Sequence, residues 1–115
     1  AAIFSSGVIV NSNVRIGGAS MVTGGVRISR DVPPFIVATD NPVRYCGVNE
    51  TLLKSSGTTD KVIGHIANAY RLVFHGQTSV FDAVIQIKEQ VPEGKEVNAI
   101  IEFIKGTQLG IIGKI

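Results

Sequence analysis

Cysteine is nearly absent from this sequence. Cys46 is the only one in 115 residues, so neither an intramolecular disulfide framework nor a cysteine-built zinc site is available. One thiol is compatible with a reducing compartment. Charge of one sign is also scarce. Eleven basic residues face nine acidic ones, a net charge of +2, which is too little to mark a nucleic-acid-binding surface. No apolar run approaches the ~20 residues that a bilayer span requires. The apolar start from Ala1 to Val10 is short and has no basic residues before it, unlike a secretory leader. What is present is apolar material: 44% of residues are hydrophobic and only 17% charged, enough to offset the entropy of folding and exclude disorder.

The basic residues are unevenly placed. Residues 1–49 hold Arg15, Arg27, Arg30 and Arg44, no lysine and two aspartates; residues 50–115 balance seven basic against seven acidic residues. Arginine suits bidentate contacts to phosphate or carboxylate, and four solvated side chains on separate turns is the simpler reading.

The first third repeats. Every sixth residue from Phe4 is large and apolar: Phe4, Val10, Ile16, Val22, Ile28. The residues two before each, and then Val32, are small or β-branched: Ala2, Val8, Val14, Ser20, Val26. Glycine, asparagine and small polar residues fill the gaps. A period of six does not fit a helix of 3.6 residues per turn. It fits a solenoid in which each hexapeptide gives one short strand and a corner, and three hexapeptides close one coil. The large aliphatic points inward, and glycine or asparagine takes the corner. This pattern predicts the end of a left-handed parallel β-helix over residues 1–34. Those residues make fewer than two coils, and repeat folds need about three units, so the expectation is a C-terminal piece of a longer solenoid. A three-sided prism with flat faces suits a threefold interface between copies.

The repeat stops at Asp31-Val32-Pro33-Pro34, where two prolines remove two backbone donors and no further coil is expected to add. Residues 35–57 read as an extended crossing segment. From 58 to 115 the period becomes helical. Thr58, Thr59 and Asp60 offer N-cap oxygens; Val62, Ile63, Ile66, Tyr70, Val73 and Phe74 share one face; Gly76 can end the helix. Thr78 and Ser79 start a second helix carrying Val80, Phe81, Val84, Ile85 and Ile87, with Pro92 beyond its end. A third runs from about Glu93 to Lys105, with Val97, Ile100, Ile101 and Ile104 inward. The tail Leu109-Gly110-Ile111-Ile112 is apolar and is expected to pack back.

Few residues point to chemistry by themselves. His65 and His75 are ten apart, not an i, i+4 metal pair, and read as surface or helix-end residues. Cys46 has no histidine beside it and reads as a small buried apolar residue. Gly24-Gly25 is not followed by Lys-Ser/Thr and is no phosphate loop; it reads as a solenoid corner, or as a smooth wall for a chain-like ligand. The other asparagines suit turns, whereas Asn49 falls where the two patterns meet.

The solenoid ending in Asp31-Val32-Pro33-Pro34-Phe35-Ile36-Val37-Ala38, then Gly47-Val48-Asn49, then Asn68-Ala69-Tyr70-Arg71-Leu72-Val73-Phe74, resembles the C-terminal part of the bacterial UDP-N-acetylglucosamine acyltransferases of lipid A synthesis. The resemblance covers nearly the whole chain. It implies a cytoplasmic homotrimer of left-handed β-helices with C-terminal helical domains, working without cofactor or metal. Such enzymes move a 3-hydroxyacyl chain from acyl carrier protein to the 3-hydroxyl of UDP-N-acetylglucosamine, with a histidine as general base. That histidine lies upstream of the matching segment, so this chain holds no catalytic residue. Asn49 matches a residue that helps bind the nucleotide sugar, and Gly24 falls at the end of the acyl groove, where glycine leaves room for a longer chain. Asn11 and Ser12 stand where the family commonly has His-Gln in the nucleotide-sugar site. Ser55 and Ser56 stand where it commonly has arginines, and serine offers a neutral hydroxyl in place of a charged fork; Arg44 or Lys54 could compensate. The alternatives are a catalytically silent trimerisation or binding module, and a hexapeptide transferase for another nucleotide sugar.

Overall fold

The computed structural model describes residues 3–4, 9–10, 14–23, 27–28, 30–39, 44–75, 79–107 and 110–114. The first strands are two residues long: β1 (Ile3–Phe4), β2 (Ile9–Val10), β3 (Met21–Val22) and β4 (Arg27–Ile28). A six-residue repeat leaves room for little more before the next corner. Pairing is parallel. Ile3 faces Met21 and Ile9 faces Arg27, in both cases 18 residues, or three hexapeptides, further along. Val22, Ile28, Ser20 and Val32 have no or almost no exposed surface, as inward positions of the repeat require. Ser20 is the polar exception, and its hydroxyl donates to the Gly17 carbonyl at 2.7 Å.

The stacking does not stop at the prolines. Strand β5 (Ile36–Thr39) pairs in parallel with β3, Met21 facing Val37 and Val22 facing Ala38. The offset is now 16, as it is for the bridge between Ile16 and Val32. The two residues are lost between Ile28 and Val32, ahead of the prolines. Pro33 and Pro34 sit between the bridge and β5, where no ladder needs their missing N–H groups. Gly17 makes this possible: a Cβ there would stand 2.2 Å from the Pro34 nitrogen and 2.6 Å from the Pro33 carbonyl carbon.

Residues 35–57 also depart from a plain extended crossing. After β5, strand β6 (Arg44–Val48) returns antiparallel to it, with a register shift between Val37 and Ala38. Helix α1 (Glu50–Ser55) follows, and Gly57 leaves it with φ +88°. Six residues are too few for a helical period to be legible. Helices α2 (Asp60–His75), α3 (Val80–Gln90) and α4 (Lys95–Gly106) come next. The Thr59 hydroxyl accepts from the Val62 N–H, and Ser79 Oγ accepts from the Asp82 N–H at 3.1 Å, so both starts are capped. Ile63, Ile66, Tyr70 and Val73 of α2 meet Val84 and Ile87 of α3 and Val97, Ile100 and Ile104 of α4 in one core. Phe81 and Ile85 are the departure, at 59% and 57% exposed on the outer face of α3. None of the described helices is long and apolar enough to cross a membrane.

The tail does pack back. Ile111 and Ile112 are buried, Ile111 bridges to Asp31, and β7 (Gly113–Lys114) adds in parallel to β6. The Asp31 carboxylate is buried and accepts from the Arg15 N–H at 2.7 Å and from the Thr107 hydroxyl at 2.6 Å. It thus ties the paired Arg15 and Asp31 segments to the end of α4. The Arg15 guanidinium lies 4.4 Å over the Phe103 ring and extends the same tie.

Two glycine substitutions separate close approach from helix propensity. Gly17→Ala drives a methyl into proline backbone and is expected to lower stability by roughly 2–3 kcal/mol. Gly64→Ala meets nothing within 4 Å on the exposed side of α2. It is expected to raise stability by about 0.5–1 kcal/mol. The shift in denaturant midpoint measures both.

Candidate functional site

Asn49 lies between β6 and α1 and is almost fully buried. Its Oδ1 accepts from the Leu52 N–H at 3.4 Å and caps α1, while its Nδ2 donates to the Ala19 carbonyl at 3.3 Å. Its backbone N–H donates to the Phe35 carbonyl at 2.8 Å. Ala19 and Phe35 are the non-glycine residues with left-handed backbones among those described, at φ 56° and 68°. Each such residue carries strain of about 1–2 kcal/mol. They are also 16 residues apart, the local register offset, so one corner stacks on the other. The Phe35 N–H donates to the Gly18 carbonyl at 2.9 Å and joins the two.

Tyr70 supports the corner from the helical side. It is fully buried, and its hydroxyl donates to the Pro34 carbonyl, one residue before Phe35. Tyr45 stacks flat on Phe74, with ring centroids 4.1 Å apart, and leans on Tyr70. Burial pushes the Tyr70 phenol well above its ordinary value, helped by Tyr45 beside it. The half-buried Tyr45 is raised for the same first reason, with Cys46 adding to it. Cys46 itself is exposed, against the expectation of a buried thiol. Side chains alternate across β6, and Tyr45 takes the inner face.

The remaining expected residues fall as follows. Asn11, Ser12 and Gly24 lie outside the described residues, and so does the Arg44 side chain. Lys54, Ser55 and Ser56 are exposed on or beside α1. The Ser55 hydroxyl donates to the Leu52 carbonyl of its own helix at 2.9 Å, which leaves Lys54 as the charge α1 can offer a phosphate. His65 is half-buried, and His75 is exposed at the last residue of α2. The site thus gathers one carboxamide, two strained corners and a short helix that carries Glu50 at its start and Lys54 near its end. Sequence reasoning did not single out Ala19 and Phe35; their signal is an alanine after Gly17-Gly18 and a phenylalanine after two prolines, each in a turn position.

A separate cleft of about 290 Å³ lies between α3 and α4, lined by Lys88, Asn98, Glu102 and Lys105 among others. A hydrogen bond with Lys105, and its like charge, hold the Lys88 ammonium below its usual range.

Comparison with known proteins agrees with this architecture. The family described as UDP N-acetylglucosamine O-acyltransferase, domain 2, matches residues 31–112. The chain belongs to this family. It is 34% identical over 107 residues to the acyl-[acyl-carrier-protein]–UDP-N-acetylglucosamine O-acyltransferase of Paraburkholderia phymatum, and 35% to that of Burkholderia lata. Each match covers 90% of this chain and 41% of the relative, so the chain spans about two fifths of the length of these proteins. Among solved structures, the UDP-N-acetylglucosamine acyltransferase from Bacteroides fragilis superposes with a TM-score of 0.94 at 36% identity, over 96% of this chain and 44% of that one. The Acinetobacter baumannii structure gives 0.92 at 26% identity, over 96% and 43%.

The buried phenol makes stability depend on alkaline pH. Above its ordinary value near 10, Tyr70 of the unfolded chain gives up a proton that the folded chain retains. The unfolded state then binds fewer protons, so stability is full below about pH 10 and falls as pH rises toward the folded value. Tyr70→Phe is expected to cost about 1 kcal/mol at pH 7, through the unmet Pro34 carbonyl, and to flatten that alkaline fall. Denaturant melts at pH 7 to 11 test it.

Proposed function

We propose that this chain is the C-terminal part of a cytoplasmic, homotrimeric enzyme that moves a 3-hydroxyacyl chain from acyl carrier protein to UDP-N-acetylglucosamine in lipid A biosynthesis. The observation that carries the reading is the agreement of strands and helices together with the Bacteroides fragilis acyltransferase, at a TM-score of 0.94 and 36% identity. Relatives at 34% and 35% identity bear the same activity in their names. The 18-residue parallel offset supports reading residues 1–34 as closing coils of a left-handed β-helix.

In this reading Asn49, Asn11 and Ser12 belong to the nucleotide-sugar site and Gly24 to the acyl groove, as the family resemblance implies. Transfer needs a base to take the proton of the sugar hydroxyl as it attacks the thioester carbonyl. A histidine outside this chain supplies that base. One observation favours a silent scaffold as the second reading: Ser55 is bonded to its own helix where the family commonly has an arginine.

The full-length protein from the native gene is expected to sediment as a trimer and to convert UDP-N-acetylglucosamine and a 3-hydroxyacyl carrier protein into the acylated sugar nucleotide, read by mass spectrometry. A folded trimer that forms no product would overturn the enzymatic reading in favour of the scaffold. Gly24→Leu is expected to lower kcat/KM for the longest accepted chain about 10–100-fold, with shorter chains spared. A donor series of increasing chain length measures it.

A further inference from the structure

Two amines share the cleft between α3 and α4. Lys88 comes from the last turn of α3, and Lys105 from the last turn of α4. Glu102 lies on the same face of α4 as Lys105, and Glu93 is the other carboxylate at the cleft. The floor is apolar: Ile87, Val91, Val97 and Ile101 are all buried beneath it. Two ammonium groups repel and have no reason to meet in water. Here Lys88 and Lys105 are hydrogen-bonded. An ammonium can only donate, so one of the two nitrogens must accept with a lone pair and has given up a proton. That bond first, then the like charge and desolvation, hold Lys88 below the usual lysine range, with Glu102 opposing.

We propose that Lys88 is a site of covalent acylation, an amine that takes an acyl group from a thioester, with the Lys105 cation beside it and the apolar floor under the acyl chain. The Lys88 nitrogen attacks the thioester carbonyl carbon. Lys105 turns its N–H from that nitrogen to the developing oxyanion. The carbon–sulfur bond then breaks, and the proton shed by the nitrogen leaves with the thiolate as a thiol. The product is an amide, and the lysine charge is lost. The cleft favours this chemistry over anion binding, because Glu93 and Glu102 repel an anion while aliphatic side chains accept a hydrocarbon chain. An unprotonated amine is a nucleophile and an ammonium is not. The choice of a thioester rests on the acyltransferase reading, in which such donors are at hand; the reactivity of the amine does not.

The test is labelling of the full-length protein with S-octanoyl-N-acetylcysteamine near neutral pH, the modified lysines being located and timed by peptide mass spectrometry. Lys61 and Lys95, exposed on α2 and α4, serve as comparators within the same molecule. Lys88 is expected to react about tenfold faster than either. The S-acetyl compound has no tail to lay on the floor and should show a smaller preference. Lys105→Met removes the cation and its hydrogen bond, and should bring Lys88 down to the comparators' rate. Lys105→Arg keeps both and should retain most of the preference. Equal rates at Lys88, Lys61 and Lys95 overturn the proposal, and so does a preference that survives Lys105→Met. Faster labelling of Lys105 than of Lys88 overturns it as well. Labelling needs no turnover, so a protein that is acylated at Lys88 but forms no acylated sugar nucleotide sinks the acyltransferase reading and leaves this site standing.

Discussion

Backbone touches backbone where Gly17 meets Pro33 and Pro34, and the rest of the structure is arranged around that contact. A repeat with an 18-residue offset would continue indefinitely unless something broke its register. Here the offset contracts to 16 already at the Ile16–Val32 bridge, so the two residues are lost between Ile28 and Val32, and the consecutive prolines that follow keep the new offset. The proline turn fits only because position 17 has no side chain. Beyond the prolines, Phe35 has a left-handed backbone directly over Ala19. The corner is thus where close packing and conformational strain coincide.

Every neighbouring element answers that strain with a directional bond. Tyr70 reaches from α2 to the Pro34 carbonyl, and Asn49 reaches from the start of α1 to both corners. Asp31, two residues before the prolines, holds Arg15 and Thr107. A buried carboxylate is costly to desolvate, so its short charge-assisted bonds specify how α4 docks more than they add to net stability. The helices are therefore fixed to the strands at the corner and not merely laid against them. A ligand site built there inherits rigid supports on several sides, which is what precise orientation needs.

The parts legible in the sequence were those governed by a period. Val22 and Ile28 are buried because six-residue spacing turns them inward, and Ile63, Ile66, Tyr70 and Val73 are buried because helical spacing does. The parts that escaped depend on a single contact. Nothing periodic announces that Pro33-Pro34 permits one more parallel strand, because that turns on the empty space at Gly17. Six residues of α1 cannot display a helical repeat, and its start rests on one carboxamide. Cys46 is exposed because Tyr45 claims the inner face of β6 for its stack on Phe74, a pairing distant in sequence. Position 49 was legible as a junction; that its side chain would be spent on Ala19 was not.

The same contacts bound what this part of the molecule does in a reaction. Among the described residues at the corner, the groups facing one another are a carboxamide, backbone amides and carbonyls, and a phenol pushed well above its ordinary value. None of these takes up a proton near neutral pH. Deprotonating a sugar hydroxyl needs a base whose affinity for the proton is matched to that range. In the proposed acyltransferase reading, the corner would hold the substrate and leave the proton to a base carried elsewhere. Misplacement by about 1 Å can cost a hundredfold in rate, so an element that supplies no reacting atom still governs turnover through its stiffness.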